Sequence, residues 1–275
     1  MTAGDQARAF ARLHHGTAPL VLPNAWDAMS ARVFEAAGFA AVGTTSAGMA
    51  FQLGHADGEH MPVDELLASL SRIVRTVRVP VSADLEAGYG SSAARVAELV
   101  RRVVDVGVAG INLEDSRSGG LLTLGDQVER LAACRTAAER AGVPLYLNAR
   151  TDVYWHRVGS PDTRLAEALR RGAAYLGAGA DGVFVPGVTD EATMRALAAG
   201  FSGPLNVLAT PRTPDVAQLA VLGVARVSTG SGPVRSVMGL MRRLAGEWQT
   251  AGTFSGLGGD ALPYDEANDL FLRPD

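Results

Sequence analysis

Residues 106–111, Val-Gly-Val-Ala-Gly-Ile, join the end of a predicted helix directly to the start of a predicted strand. A glycine after an amphipathic stretch is typical of a helix C-terminus, because glycine adopts the left-handed backbone conformation found there. The same arrangement recurs at residues 37–42, 178–183 and 222–227. The chain therefore repeats a helix–strand unit, and each of these segments is the turn that leads from a helix into the next strand.

Eight short apolar runs lack polar alternation, a pattern that predicts strands buried on both faces. They span residues 20–23, 40–44, 79–83, 108–113, 143–148, 181–186, 204–209 and 225–229. Amphipathic stretches between them predict helices, for example at 27–37, 63–77, 92–106, 125–141 and 163–179. Eight strands alternating with helices over about 250 residues predict an α/β fold, a (β/α)8 barrel of the TIM type. A doubly wound open sheet is the alternative, but the first strand segment, LVLPNAWD, is not followed by a glycine-rich dinucleotide motif.

The sequence changes character near its C-terminus. We predict a barrel over residues 1–245 and, over residues 246–275, a glycine-rich flexible segment followed by a helical tail. The tail carries Leu262, Leu270 and Phe271, which so short a segment cannot bury by itself. We expect these side chains to dock on a neighbouring surface, either of the same subunit or of another.

Composition narrows the class of protein. The chain has 275 residues, 47% of them hydrophobic and 20% charged, which is ordinary for a globular protein with a sizeable core. The net charge of −4 includes no basic block, so we expect no nucleic-acid partner and no anionic membrane surface. We see neither a secretory signal nor a run of ~20 apolar residues, and the single cysteine, Cys134, excludes an internal disulfide. We therefore expect a cytoplasmic protein with Cys134 in the core.

Two pairs of acidic residues follow neighbouring predicted strands. Asp84 and Glu86 lie in VSADLEAGYG, and Glu114 and Asp115 lie in GINLEDS. The carboxyl ends of barrel strands meet at one face, where carboxylates repel one another unless a cation or proton compensates. Oxygen ligands of this kind suit Mg²⁺, or Mn²⁺, better than Zn²⁺. Alternatively, some of these carboxylates are helix caps or arginine partners.

Arg150, in the stretch NARTD, is the cation of this set of strand ends. A guanidinium can bind a substrate carboxylate through two parallel hydrogen bonds. The structural alternative is an ion pair with Glu114 or Asp115, and both roles can hold at once.

Uncharged strand ends add candidate substrate contacts. Thr45, Ser46 and Ala47 are small residues that can turn successive backbone N–H groups toward an anion, or can simply form a tight turn. Asn206 comes from the seventh predicted strand. Asp57 is a separate, charged candidate in a loop, where aspartate often serves only to form a turn.

These residues resemble the motifs of the isocitrate lyase and phosphoenolpyruvate mutase superfamily. The acidic-x-acidic-x-Gly-Tyr-Gly motif matches residues 84–90, the Glu-Asp motif matches residues 114–115, and the Ala-Arg-Thr motif matches residues 149–151. The similarity covers most of the predicted barrel, from PNAWDAMSA to LNARTD. It implies a barrel enzyme that acts on α-oxo acids.

For the metal, the resemblance implies that Asp84 binds Mg²⁺ directly, while Glu86 and Glu114 hold water molecules of the metal. Asp57 matches an aspartate that contacts such water or the substrate. On this basis Asp57, Arg150 and Glu114 are the predicted catalytic residues.

For the substrate, the resemblance implies that an oxo-acid lies between the metal, Arg150 and the backbone after the second strand. The predicted substrate-binding residues are Thr45, Ser46, Ala47, Asp84, Arg150 and Asn206. The resemblance also implies a homotetramer, a dimer of dimers in which the C-terminal helical segment is exchanged between barrels.

Two departures from the superfamily pattern affect the predicted reaction. Residues 116–123, Ser-Arg-Ser-Gly-Gly-Leu-Leu-Thr, contain no Cys, Lys or His where the lyases carry a loop with a catalytic thiol. Pro186 replaces a histidine of the mutases. We therefore predict a Mg²⁺-dependent lyase that cleaves a C–C bond in oxo- or hydroxy-di- or tricarboxylates, oxaloacetate-like or 2-methylisocitrate-like, via an enolate. A phosphoenolpyruvate/phosphonopyruvate mutase-type isomerase and a non-catalytic oxo-acid-binding barrel are the alternatives.

Overall fold

A computed structural model of the protein describes residues 2–117, 119–259 and 261–272. Within them, nine parallel strands form one sheet, in the order β1-β11-β10-β9-β8-β5-β4-β3-β2, and β6 and β7 form a separate antiparallel hairpin. The strands are β1 (Leu20–Leu22), β2 (Asn24–Ala25), β3 (Val42–Thr44), β4 (Val81–Asp84), β5 (Gly110–Glu114), β6 (Ser116–Arg117), β7 (Gly120–Leu121), β8 (Tyr146–Arg150), β9 (Gly182–Phe184), β10 (Leu205–Leu208) and β11 (Arg226–Ser228).

The sheet curves until its two ends meet on the same stretch of chain. β1 pairs with β11 and β2 pairs with β3, and only Pro23 separates β1 from β2. Proline has no N–H to donate, which interrupts the ladder at this position. β1 and β2 are therefore two halves of one barrel strand, and the eight strands that result confirm the predicted TIM-type barrel.

Helices alternate with the barrel strands. They are α1 (Ala3–Leu13), α2 (Ala28–Ala36), α3 (Ser46–Gln52), α4 (Val63–Thr76), α5 (Ala93–Val106), α6 (Leu124–Arg140), α7 (Pro161–Gly177), α8 (Glu191–Gly200), α9 (Val216–Val221), α10 (Gly232–Thr250) and α11 (Tyr264–Asp269), with a 3₁₀ turn at Ser255–Gly258. Gly107 and Gly179 have φ angles of 96° and 99°, as expected of glycines that end a helix. Cys134 is fully buried in α6, which confirms its predicted place in the core.

Helix α1 closes the end of the barrel at which the strands begin. Its Phe10 is fully buried, and a Cβ atom added to Gly110 of β5 would lie only 2.8 Å from the Phe10 ring. Glycine at this position therefore lets α1 pack directly on the barrel. The cavities of the barrel lie at the opposite end, where the strands finish.

The C-terminal region differs in detail from the prediction. Helix α10 continues past Gly246 to Thr250, so the helical structure that follows the barrel does not end at the predicted boundary. Further along, Arg32 of α2 donates a hydrogen bond from Nε to the carbonyl of Leu270, so the tail contacts the barrel of its own chain. In the part of the chain that the structure describes, no helix is long and apolar enough to cross a membrane.

Candidate active site

Two adjoining cavities lie at the carboxyl ends of the barrel strands. The inner cavity has a volume of about 120 Å³ and the outer cavity about 550 Å³. Both are lined by Ser46, Asp57, Arg150 and Trp155. This is the face at which the active sites of TIM-type barrels are found.

The inner cavity brings Asp84 together with Thr45, Ser46 and Ala47. Asp84 ends β4, and its carboxylate accepts a hydrogen bond from the Ser46 N–H at 3.2 Å. Its own backbone N–H donates to the Thr44 hydroxyl at 3.0 Å. These contacts hold the Asp84 carboxylate against the start of α3.

The outer cavity is lined by Glu86 and Glu114, together with Asp57. Glu86 is 6% exposed, and its carboxylate accepts hydrogen bonds from the Tyr89 hydroxyl and the Glu59 N–H, both at 2.7 Å. Glu114 ends β5 and accepts a hydrogen bond from the Ser116 hydroxyl at 3.0 Å. The predicted metal residues therefore lie around a pair of connected cavities.

Arg150 ends β8 and is already paired. Its Nη1 lies 2.8 Å from a Glu114 oxygen, and its Nε and Nη2 donate to the two oxygens of Asp152 at 2.7 and 3.0 Å. The predicted ion pair with Glu114 is therefore present, whereas the suggested pair with Asp115 is not formed. A guanidinium carries five N–H donors, so at least two of them are not engaged by the residues that the structure describes and can bind a ligand.

Asp115 points away from the cavities. One of its carboxylate oxygens accepts hydrogen bonds from Thr151, Tyr175 and Arg171, at 2.8, 2.7 and 3.1 Å. Successive strand residues face opposite sides of a sheet, so Glu114 and Asp115 cannot both face the barrel interior. The two acidic pairs thus contribute three carboxylates to the site, and Asp115 joins β5 to β8 and α7.

Asn206 is placed differently from the prediction. It is 1% exposed, accepts a hydrogen bond from the Ser228 hydroxyl at 3.2 Å, and lines neither cavity. β10 continues to Leu208, which faces the same side of the strand two residues later and does line the inner cavity. Asn206 is therefore one layer below the rim, inside the barrel.

The grouped carboxylates perturb one another. Burial, followed by the charges of Asp84 and Asp57, raises the pKa of Glu86 to about 7, although the Tyr89 hydroxyl opposes this shift. Asp57 still reaches solvent, yet desolvation by its surroundings and the charge of Asp84 raise its pKa. Burial also raises the pKa of Glu114, against the effect of Arg150. Excess negative charge at this site would be relieved by a bound cation.

The carboxylates of the site fit Mg²⁺, which keeps much of its water shell, better than they fit a metal that is bound by three or more side chains. Among the described residues, no three His, Cys, Asp or Glu side chains come together closely enough to hold a metal ion directly. Mg²⁺ usually keeps several waters and takes one or two carboxylates, with further ligands from the substrate. One carboxylate at Asp84, with Glu86 and Glu114 farther out, matches that requirement.

Comparisons with known proteins agree with this architecture. The family model described as phosphoenolpyruvate phosphomutase matches residues 10–248. The chain is 31% identical over 267 residues to the 2,3-dimethylmalate lyase of Eubacterium barkeri, covering 91% of this chain and 89% of that one. It is 33% identical over 188 residues to the oxaloacetate decarboxylase of Ectopseudomonas mendocina, covering 65% and 61%.

The structural comparison is equally extensive. A crystal structure of a putative lyase/mutase from Burkholderia cenocepacia superposes with a TM-score of 0.92 and 35% identity, covering 99% of this chain and 98% of that one. The fold and site define an enzyme of a barrel superfamily whose members are C–C lyases and mutases. Within it, the chain belongs to the phosphoenolpyruvate phosphomutase family.

Several residues that line the site are not among the predicted site residues. Asp152, Trp155 and His156 follow β8 and line the outer cavity, as do Glu59 and Arg117 from other loops. Asp152 was visible as a strand-end acid in NARTD, but its bidentate contact with Arg150 was not foreseen. The other four carry no local signal, because only the path of the loops brings them to the cavity.

Proposed function

We propose that the protein is a Mg²⁺-dependent lyase that cleaves a C–C bond in an oxo- or hydroxy-di- or tricarboxylate. The observation that supports this most directly is the inner cavity, where Asp84 lies beside the Ser46 backbone and Arg150. A metal-binding carboxylate, backbone donors and a guanidinium are the groups that a 2-oxo acid requires. The activities named for the E. barkeri and E. mendocina relatives fall within this reaction class.

Substrate binding would use the groups that remain available. Arg150 offers two unoccupied N–H donors, and its pairing with Asp152 fixes the plane of the guanidinium before a ligand arrives. Phe184 and Pro186 give the inner cavity an apolar wall, which would exclude water from the reacting carbon. We therefore assign Arg150 to the carboxylate of the substrate.

The acidic residues would divide the remaining roles. Asp84 would hold Mg²⁺ directly, with Glu86 and Glu114 positioned to accept hydrogen bonds from its waters. When bound, Mg²⁺ would supply Lewis-acid polarisation of the 2-oxo group, an effect worth about several kcal/mol. Asp57 lines both cavities, where its carboxylate would contact the substrate or a water of the metal.

A mutase is the second candidate, supported by the description of the matching family. Rearrangement of a phosphoryl group requires donors for its oxygens on the side of the cavity away from the metal. In this chain Pro186, on the wall of the inner cavity, replaces a histidine of the mutases, and its side chain donates no hydrogen bond. We therefore rank C–C cleavage above C–P rearrangement.

The test of the proposal is Asp84→Ala, assayed with oxaloacetate and 2-methylisocitrate in the presence of Mg²⁺. Turnover should be abolished in the variant, and in the wild type with excess chelator, because the proposed direct ligand or the metal itself is missing. The fold should persist by circular dichroism, since the substitution removes a repelling charge. Full activity in either case would rule out the metal-dependent mechanism.

A further inference from the structure

Glu59 lies in the loop between α3 and α4, and its backbone is strained. Its φ angle is 62°, in the left-handed region that residues other than glycine seldom adopt. Glu86 and Tyr89, in the loop after β4, have φ angles of 50° and 53° and share this conformation. Such strain persists only where surrounding contacts impose it, and it is concentrated at functional sites.

The three strained residues hold one another in a closed ring. The Glu59 N–H donates to Glu86 Oε2 at 2.7 Å, and the Tyr89 hydroxyl donates to Glu86 Oε1 at 2.7 Å. The ring is closed by the Tyr89 N–H, which donates to the Glu59 carboxylate. Both Glu86 oxygens are therefore fixed by groups whose own positions depend on Glu59.

Glu59 also reaches a third loop. Its second carboxylate oxygen lies 3.3 Å from Arg117 Nε, in the hairpin formed by β6 and β7. Arg117 Nη1 in turn donates to the carbonyl of Gly90 at 2.9 Å, next to the strained turn. One side chain, 14% exposed, thus connects the loops that follow β3, β4 and β5.

We infer that Glu59 is a positioning residue that fixes the Glu86 carboxylate in the orientation needed to accept hydrogen bonds from the water of the metal. This inference rests on the proposed metal-dependent function. Glu59 has a positioning role here, because its contacts are with Glu86, Tyr89 and Arg117. The Glu59 carboxylate accepts a hydrogen bond from the Tyr89 N–H. This contact maintains the strained turn that carries Glu86.

The test separates the length of the side chain from its charge. Glu59→Gln keeps an acceptor oxygen at the same reach, whereas Glu59→Asp keeps the charge but withdraws the oxygen by one methylene. We expect Glu59→Gln to bind Mn²⁺ and Mg²⁺ with close to wild-type affinity. Glu59→Asp and Glu59→Ala should bind both about 10- to 100-fold more weakly, as is typical when a partner that orients a metal ligand is lost.

Mn²⁺ binding is measured by electron paramagnetic resonance and Mg²⁺ binding by calorimetry, without substrate. Glu65→Ala is the matched control, because Glu65 pairs with His55 at 3.0 Å and is 46% exposed outside the ring. Its metal affinity should be unchanged.

Each outcome has a distinct meaning. Unchanged metal affinity in Glu59→Asp and Glu59→Ala, even with a lowered melting temperature, would show that Glu59 is merely structural and overturn the inference. An equal loss in Glu59→Gln would assign the effect to charge and overturn it as well. A wild-type protein that binds neither metal would instead refute the proposed function on which the inference rests.

Discussion

Arg150 has structural contacts on two sides and free donors for a ligand. Asp152 accepts hydrogen bonds from two of the five N–H groups of Arg150, and a Glu114 oxygen lies 2.8 Å from Nη1. The guanidinium also lies 5.8 Å from the centre of the Phe184 ring. The side chain is therefore fixed before any ligand binds. This arrangement combines the two roles that the sequence left open for Arg150.

The substitution Arg150→Lys tests the binding role. An ammonium group cannot reproduce the bidentate contacts, so we expect affinity for pyruvate or oxaloacetate to fall by roughly 2 kcal/mol, the scale of a hydrogen bond to a charged group. Calorimetric titration measures this loss. Unchanged affinity would show that Arg150 serves only to pair Glu114 and Asp152.

His14 gives the fold a predictable dependence on pH. It is 4% exposed, stacks on Tyr146 with ring centres 3.9 Å apart, and its Nδ1 lies 2.9 Å from the Phe10 carbonyl oxygen. Burial, followed by the charge of Arg226, lowers its pKa from 6.5 to about 3. The folded protein therefore keeps His14 neutral at pH values where the unfolded chain would protonate it.

The sign of the effect follows from linkage. Between pH 6.5 and about 3 the unfolded state binds a proton that the folded state does not, so stability falls as the pH falls through this window. At pH 5 the loss should be about 2 kcal/mol relative to pH 8. Urea unfolding at both pH values should show that His14→Phe removes this part of the pH dependence. His15→Phe, one residue along and exposed, should retain it.

At the scale of elements, the β6–β7 hairpin occupies the place of the loop that carries the catalytic thiol in the superfamily's lyases. The Ser116 hydroxyl is engaged by Glu114 and Asp152, and Arg117 is paired with Glu59. The sequence of residues 116–123 contains no Cys, Lys or His, and Ser118 lies outside the described residues. The described residues of this hairpin therefore supply no strong general acid to the site.

This difference predicts an order of reaction rates. Cleavage of an isocitrate-type bond requires protonation of the product carbon, and a positioned general acid contributes about 10²–10⁴ to such a rate. We expect measurable Mg²⁺-dependent cleavage that is weak on tricarboxylates. Decarboxylation of oxaloacetate should suffer less, because its enolate can be protonated after release.

A substrate panel checks this order by measuring pyruvate, glyoxylate and phosphate release from oxaloacetate, isocitrate, 2-methylisocitrate, phosphonopyruvate and phosphoenolpyruvate. Phosphorus NMR measures the interconversion of phosphonopyruvate and phosphoenolpyruvate, which releases none of these products. We expect no useful rearrangement of phosphoenolpyruvate. A mutase rate far above every cleavage rate would reverse the ranking and favour the isomerase.

At the scale of the whole molecule, helix α10 and the tail present unusual apolar surface. Val234 is the only buried residue in the 19 residues of α10, while Met241 and Trp248 are 57% and 42% exposed. Beyond the helix, Phe254 and Tyr264 are 66% and 85% exposed. Large exposed apolar patches are typical of interaction surfaces. The homotetramer with an exchanged C-terminal segment stays a prediction.

Deletion of residues 260–275 tests the exchange. The truncated chain would lose Leu262 and Phe271 as contacts, so we expect assembly to fall to dimers or monomers while the barrel stays folded. Sedimentation velocity of both proteins measures the change. A truncated protein that sediments as the same oligomer as the full-length chain would contradict the exchange.

The sequence by itself determined the order of elements and the face that carries the site. Glycines such as Gly107 and Gly179, placed directly between helix and strand, specify their turns through local sterics. Strand-end positions placed Asp84, Glu86 and Glu114 correctly on one face, because all parallel strands of a barrel end there. These features depend on local backbone preferences and on periodicity, which can be inferred from residues near one another in the chain.

Only the tertiary structure decided the direction and depth of individual side chains. Asp115 faces the helix layer, and Asn206 lies one layer below the cavity, since pleating and the extent of each strand set these positions. Glu59, Tyr89 and Arg117 lie in three separate loops, and Glu59 contacts both of the other residues. Such contacts join residues that are far apart in the chain, so their positions depend on the packing of the whole barrel and not on any local sequence pattern.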